Sequence, residues 1–456
     1  MRWILALLGF AALSMEGARA DDWPQWRGPR GNGLTSETGL PVAWGDQEGI
    51  AWKAQLAGVG ASTPVIWRDR VFVTSQSGKG VLRDGNHPTL GRGPDATPER
   101  SIGDVATVEA REGDVVFLVE AFDLEDGRRL WRYELEAETP DGSLPAVHRK
   151  HNLASPSPTT DGERVYAWFG TGQLVVLDLE GKLVWEKHLG MTYQPFVIAW
   201  GHSSSPTLFR DLVLLLCDHD NASYLVALDK RTGEEKWKAD RGQGQRSYST
   251  PTVVSGPAGD ELVVNSSERI DGYDPATGKQ LWYFVEKNQF PIPVPSFDDG
   301  IIYTSRGYRS GPYMAIRPGG RGDIAGTESV IWHVATGAPY VSSIVQYQGV
   351  IYMASDAGVV QAADAKTGER LWQERTGGVF SAAPVAGDGK VYLLSETGEV
   401  LVLRASKTFE ILARNQMDAR FLASPAVSNG QLFLRSDDRL IAVGRPSGKE
   451  SSVGND

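Results

Sequence analysis

Cysteine is almost missing. The chain of 456 residues has one, Cys217. That excludes an intramolecular disulfide framework, a cysteine-based zinc site and an iron–sulfur cluster. Positive charge is also short: 46 lysines and arginines face 57 aspartates and glutamates, a formal net charge of −11. A general nucleic-acid binder needs a basic footprint, so that class is excluded. Beyond residue 20 no apolar run approaches the ~20 residues that span a bilayer. No Ser-His-Asp pattern, phosphate-binding glycine loop or dinucleotide fingerprint occurs.

The one apolar run that exists lies at the start. Arg2 supplies a positive end, Ile4 to Leu13 an apolar stretch, and Ala18-Arg19-Ala20 a small-x-small cleavage pattern. Residues 1–20 therefore read as a cleaved signal peptide, too short to anchor the chain. No cysteine lies near the cleavage point for a lipid anchor. The expected location is periplasmic or secreted. Cys217 follows Leu214-Leu215-Leu216 and reads as an inert buried thiol.

What the chain has in excess is glycine and tryptophan, 52 and 14 residues. Both belong to a repeated phrase: an apolar strand, Asp, two residues, Thr-Gly, then a strand carrying Trp. It runs Asp229 to Trp237, Asp274 to Trp282 and Asp364 to Trp372. Asp123 to Trp131 keeps the spacing with a different turn, and Asp178 to Trp185 is one residue shorter. Glycine supplies the positive φ of a tight hairpin, and the Asp carboxylate caps turn amides two residues on. A second phrase, small residues then Pro and a short strand, recurs at Pro64, Pro158, Pro206, Pro251, Pro295, Pro384 and Pro425, with Ser342-Ser343-Ile344 as the eighth copy. Each unit holds four short strands in about 40–50 residues, the size of a β-propeller blade.

The expected fold is all-β: an eight-bladed β-propeller of four-stranded antiparallel blades over residues 50–444. The last unit ends at Val443 without a Trp strand, while Ile50-Ala51-Trp52-Lys53 is a Trp strand without a unit. Pairing them closes the ring and removes open sheet edges. Trp52, Trp131, Trp185, Trp237, Trp282, Trp332 and Trp372 then fill seven of eight equivalent docking positions. Residues 21–49 are expected as an extended strap along the ring, and 445–456 as a disordered tail.

The Asp-x-x-Thr-Gly-x-x-x-Trp phrase resembles the tryptophan-docking motif of the PQQ-like (pyrroloquinoline-quinone-like) β-propeller repeat family. That family includes quinoprotein alcohol dehydrogenases and BamB, a subunit of the outer-membrane protein assembly machinery. The resemblance covers roughly residues 44–444. Asp22-Trp23-Pro24-Gln25-Trp26-Arg27-Gly28-Pro29 also resembles the start of many exported bacterial members. In the family's PQQ enzymes two adjacent cysteines form a ring over the quinone, beside a Ca²⁺ and a catalytic Asp. One cysteine cannot form that ring, and no Cys-x-x-Cys-His haem motif is present.

Propeller topology sorts the loops. Turns between the first and second and between the third and fourth strands lie on one face. The remaining connections surround the funnel mouth on the other. The long ones, 76–114, 136–153 and 186–203, fall on the funnel face, and long ordered loops in a compact fold are usually functional. Five of the seven histidines lie between His148 and His219. Their clustering allows a metal or acid–base site or a hydrogen-bonded polar rim; the spacing matches no zinc motif, and no metal is assigned. Asp218-x-Asp220 has oxygen ligands for calcium but lacks the glycine and terminal Glu of an EF-hand loop. Arg246, Arg306 and Arg309 offer forked donors suited to carboxylates or sugars. The candidate binding residues are His151, His202, Asp218, His219, Asp220, Arg246, Tyr248, Glu268, Arg306, Arg309 and Arg420.

Three functions follow, in order. The first is an exported, monomeric, non-catalytic scaffold that presents its funnel face to a protein or polysaccharide partner, with no cofactor. The second is a quinoprotein oxidoreductase using PQQ with calcium. The third is a polysaccharide lyase or hydrolase with His151, His202, Tyr248 or Arg246 as acid, base or charge stabiliser.

Overall fold

A computed structural model describes residues 22–78, 105–106, 113–145, 147–148, 150–308 and 310–445. The expected signal peptide, most of the 76–114 insertion, Arg309 and the tail from 446 lie outside the described residues. Eight sheets, each of four antiparallel strands with a fifth added to one of them, form the ring. Blade 1 is Val65–Trp67, Arg70–Gly78, Val115–Asp123 and Arg129–Glu136, and the others repeat that order outward from the axis. Blade 8 is completed from the other end of the chain. Ile50–Gln55 pairs antiparallel with Arg439–Val443, with Trp52 opposite Ala442. No helix among the described residues is long and apolar enough to cross a membrane.

The repeated phrase works between blades. Gly127, Gly181, Gly233, Gly278 and Gly368 all have positive φ, and an added Cβ on each would press into the indole of Trp52, Trp131, Trp185, Trp237 and Trp332. Each tryptophan thus lies flat on the turn glycine of the next blade. Four of these indoles also donate to a backbone oxygen of that turn: Trp52 to Leu124 at 2.9 Å, Trp131 to Leu179 at 2.8 Å, Trp185 to Lys230 at 3.2 Å and Trp332 to Ala365 at 3.0 Å. The glycine is needed twice, for its φ and for the missing side chain.

Trp282 differs. Blade 5 replaces the Thr-Gly turn with the longer 317–329 connection, so no glycine waits for this indole. It folds against its own Gly272 and donates to Glu261 at 2.8 Å. Gly322–Asp323 then adds a parallel fifth strand to blade 4, opposite Trp282 and Tyr283. Trp372 packs against Phe409, since blade 7 also lacks the Thr-Gly turn.

This arrangement predicts a difference between two turn glycines. Gly278→Ala should cost about 1–3 kcal/mol, because its Cβ would enter the Trp237 ring as well as strain the backbone. Gly300 has φ +74 with nothing within 4 Å of an added Cβ, so Gly300→Ala should cost only the backbone term. Equal losses in thermal unfolding would contradict the docking.

Residues 37–49 run along blades 7 and 8, Trp44 bonding Asn415 of the outer strand of blade 7, but residues 22–35 do not follow the ring. They cross the axis, hydrogen-bonding to the inner strands of distant blades. Trp23 exchanges backbone bonds with Ile66 of blade 1, and the Pro24 carbonyl accepts from Thr160 of blade 2. The Asn32 side chain donates to Phe297 of blade 5 at 3.1 Å, Arg27 to Ile344 beside blade 6, and Leu34 bridges Ala386 of blade 7. The inner strands have unpaired edges facing the axis, and this segment is what satisfies them. Trp23, Arg27 and Asn32 are fully buried as a result. The axis is plugged at the end where the tight turns lie.

Candidate functional site

The long connections meet at the funnel mouth. Val105–Ala106, from the blade 1 insertion, pairs with Val147–His148 on the connection between blades 1 and 2. Lys150 on that connection reaches across to Glu396 of blade 7 at 2.8 Å. The connection between blades 2 and 3 carries Trp200 at its tip, with φ +76. Only glycine enters this region freely, and a bulky residue there is strained by about 1–3 kcal/mol. Gly201 follows, also at positive φ.

What holds Trp200 in place is a clamp drawn from neighbouring connections. The Trp200 carbonyl accepts the His148 amide at 2.9 Å and bonds the His151 ring. The Ala199 amide donates to Asp220 at 2.9 Å, and the Ala199 carbonyl accepts from the Tyr248 hydroxyl. Arg246 pairs with Asp220 on the side away from Ala199. The Tyr248 amide donates to Pro291 at 3.1 Å, so one residue pins both this connection and the one between blades 4 and 5. His151, Asp220, Arg246 and Tyr248 are four residues the sequence singles out. Here they position the backbone beneath Trp200.

Trp200 is the centre of a chain of rings. Its indole lies 5.4 Å from His148 and 6.1 Å from Phe290. Phe290 stands edge-on to Tyr308 at 4.9 Å, and Tyr308 is 5.2 Å from Tyr340. All five rings are half-buried. They come from connections that leave blades 1, 2, 4 and 5 and from a loop within blade 5. Offset and edge-to-face contacts at these distances are mutually stabilising.

The remaining candidates divide by burial. His202, Asp218, His219 and Arg306 are at most 1% exposed, and Tyr248 is 8% exposed. These five are inside the wall and cannot touch a partner. Asp218 accepts both Nε and Nη2 of Arg241, at 2.7 and 3.0 Å. Arg241 also donates to Asp271 at 3.2 Å and to Tyr273, joining blade 3 to blade 4. Burial alone would lower this guanidinium, yet Asp218, Tyr273 and Asp271 hold it well above its ordinary value. Arg306 is spent on Asn265 and on the carbonyls of Ser266 and Glu286.

His202 and His219 lie 6.3 Å apart in a cage with Trp168 and Phe196. Burial pushes their pKa values down to about 3 and about 4. Neither His202 nitrogen nor the Nε2 of His219 finds a hydrogen-bond partner among the described residues. They are neutral core imidazoles, and among those residues no three His, Cys, Asp or Glu side chains gather as metal ligands. Glu268 pairs with Lys287 at 3.3 Å on the rim, and Arg420 with Asp437 at 2.6 Å. Cys217 is buried in a strand of blade 3, and burial pushes its thiol up.

Sequence reading missed Trp200, Phe290, and the role of Tyr308 and Tyr340 as one surface. One signal was available: Trp200 is a tryptophan outside every docking position, followed directly by glycine. The contact chain was not, because its members lie in separate blades.

Among solved structures, BamB from Moraxella catarrhalis superposes with a TM-score of 0.57 at 14% identity, over 87% of this chain and 99% of that one. Quinohemoprotein alcohol dehydrogenase from Comamonas testosteroni gives 0.64 at 13%, over 94% and 82%. A europium-containing methanol dehydrogenase gives 0.59 at 12%, over 93% and 89%. At such identities the likeness is one of fold. No curated protein matches in sequence. The family model described as outer membrane protein assembly factor BamB matches residues 115–289 and 292–407. With more than half of its length matched and eight such blades in the ring, the chain belongs to that PQQ-like propeller family.

Proposed function

We propose that this protein is an exported, non-catalytic binding scaffold whose working surface is the funnel mouth around Trp200. The observation that carries the reading is the clamp. Four polar side chains that could have served chemistry are instead spent on holding Ala199 and Trp200, and the ring they present is strained and half-exposed. Arg68, Arg210, Asp299, Gln348, Asp388 and Asn429 take the same backbone region in the hairpin turns of the opposite face, whereas at Trp200 it is held by bonds from neighbouring connections, as over-determined strain at ligand surfaces is. The plugged far end of the axis favours the same mouth. The signal-peptide pattern supports a place in the periplasm or outside the cell, and the family supports a macromolecular partner.

The described donor set speaks against the quinone of the dehydrogenases that share this fold. A polycarboxylate quinone needs free cations, and a calcium beside it needs convergent oxygens. Among the described residues at this mouth, Lys150, Arg246 and Arg420 are each committed to a carboxylate. The one thiol is buried in a blade.

Chemical crosslinking in the native envelope, read by mass spectrometry, should return a reproducible partner with crosslinks on the funnel face. Background proteins alone, together with dye reduction by alcohols after adding PQQ and Ca²⁺, would overturn the reading in favour of an oxidoreductase.

A further inference from the structure

We infer that the ring chain His148–Trp200–Phe290–Tyr308–Tyr340 is a platform for an uncharged polysaccharide chain. This rests on the scaffold reading above and names the chemistry of its ligand.

Three observations lead there. First, the rings are continuous across the mouth. The contacts run 5.4, 6.1, 4.9 and 5.2 Å from one ring to the next, and each ring is partly open to solvent. Successive ring planes are turned by 59, 86, 89 and 56°, so a chain of linked units that each carry an apolar face can meet them one after another, and the C–H faces of sugar rings are such faces. Second, among the described residues the cations named at this mouth are paired. Arg246 and Asp220, 32% and 25% exposed, bond each other directly beneath the Trp200 segment. Lys150–Glu396 and Arg420–Asp437 do the same on the opposite side of the mouth. A charged polymer would have to break these pairs, at a desolvation cost. A hydroxyl donates and accepts together, so it can bond a paired donor and acceptor without disturbing either. Third, the described surface here is aromatic more than aliphatic, unlike the core of protein interfaces. Among the described residues the exposed large aliphatic ones are Leu183, Val184, Met191, Val197 and Val285; none is a member of the ring chain, and only Met191 and Val197 share a connection with Trp200.

Neutral cellohexaose, maltohexaose and chitohexaose, titrated into the full chain by calorimetry and tryptophan fluorescence, test this directly. At least one should bind, with a blue shift of tryptophan emission. An acidic oligogalacturonate should bind more weakly. Trp200→Gly should reduce affinity by about tenfold or more, as loss of a central aromatic anchor does. Glycine suits φ +76, so the same variant should unfold within a few degrees of the parent, and lost binding cannot be blamed on lost fold. Tyr308→Ala should weaken binding independently of Trp200.

The inference is overturned if no neutral hexaose binds, if the acidic one binds tighter, or if Trp200→Gly binds as the parent does. Should the sugars fail while envelope crosslinking still returns a protein on the funnel face, the scaffold survives and its ligand is a polypeptide. If both fail, the scaffold reading falls too.

Discussion

Arg241→Met should lower stability by about 3–5 kcal/mol, the usual cost of removing one partner from a buried ion group. Arg241, Asp218 and Asp271 have fully buried side chains. Removing the guanidinium would strand the Asp218 carboxylate without its paired bond and Asp271 with fewer partners. It would also remove the cation from the face of Tyr273, 5.2 Å from the ring centroid. The loss is of pairing rather than of packing, because methionine fills similar volume. Adding Asp218→Asn should therefore restore part of the stability, since it removes the orphaned charge, whereas Asp271 keeps Arg269 at 2.7 Å. Denaturant unfolding checks this. If the double variant is no more stable than Arg241→Met, the network contributes through shape and not through charge.

The second large effect is acid sensitivity. His202 and His219 have native pKa values near 3 and near 4, against the 6.5 of a free imidazole. Below pH 6.5 the unfolded chain takes up protons that the native chain refuses. Stability from these two residues is thus complete above pH 6.5 and falls as pH drops toward 4 and then 3. Each tenfold difference in proton affinity between the folded and unfolded chain is worth about 1.4 kcal/mol, so the loss reaches several kcal/mol. One carboxylate acts in the same window with the opposite sign: burial raises Asp218 to about 6, so between pH 6 and 3.8 the native chain takes up its proton first and offsets part of the loss. Asp364, held below its ordinary value by hydrogen bonding to Lys407, loses its contribution only below about pH 3.8. The net fall from pH 6.5 to 4 is set by the imidazoles less this Asp218 contribution. His202→Phe fits the Trp168–Phe196 cage and cannot be protonated. Its melting temperature should fall less between pH 7 and pH 4 than that of the parent. Parallel profiles would show that His202 is not the buried neutral group described here.

These two effects also mark where sequence reading stops. The ring was legible because its information is local and repeated. A turn glycine and a tryptophan recur at fixed spacing, and the missing strand of blade 8 is present as the spare strand at Trp52. Trp282 broke the pattern where blade 5 lost its turn, and the unusual 317–329 stretch was visible. The mouth was legible only as a face. His202 and Asp218 look like surface candidates in sequence, because they sit in long polar connections. Their burial depends on Trp168 of blade 2, which packs on His202, and on Arg241, which bonds Asp218 from another strand. Residues 22–49 carry no periodicity to say which strands they meet; 22–35 cross the axis, while 37–49 run along blades 7 and 8. Trp200 owes its role to a backbone angle set by His148, His151, Asp220 and Tyr248, and no spacing encodes an angle.

The most direct test of the account replaces Trp200 with a photoactivatable amino acid in the chain expressed in its native envelope. Position 323, exposed on the opposite face, serves as the control. Illumination should give a discrete adduct from position 200 and none from position 323. Adducts from 323 alone, or none from 200 while the protein turns over a substrate, would contradict a binding surface at the funnel mouth.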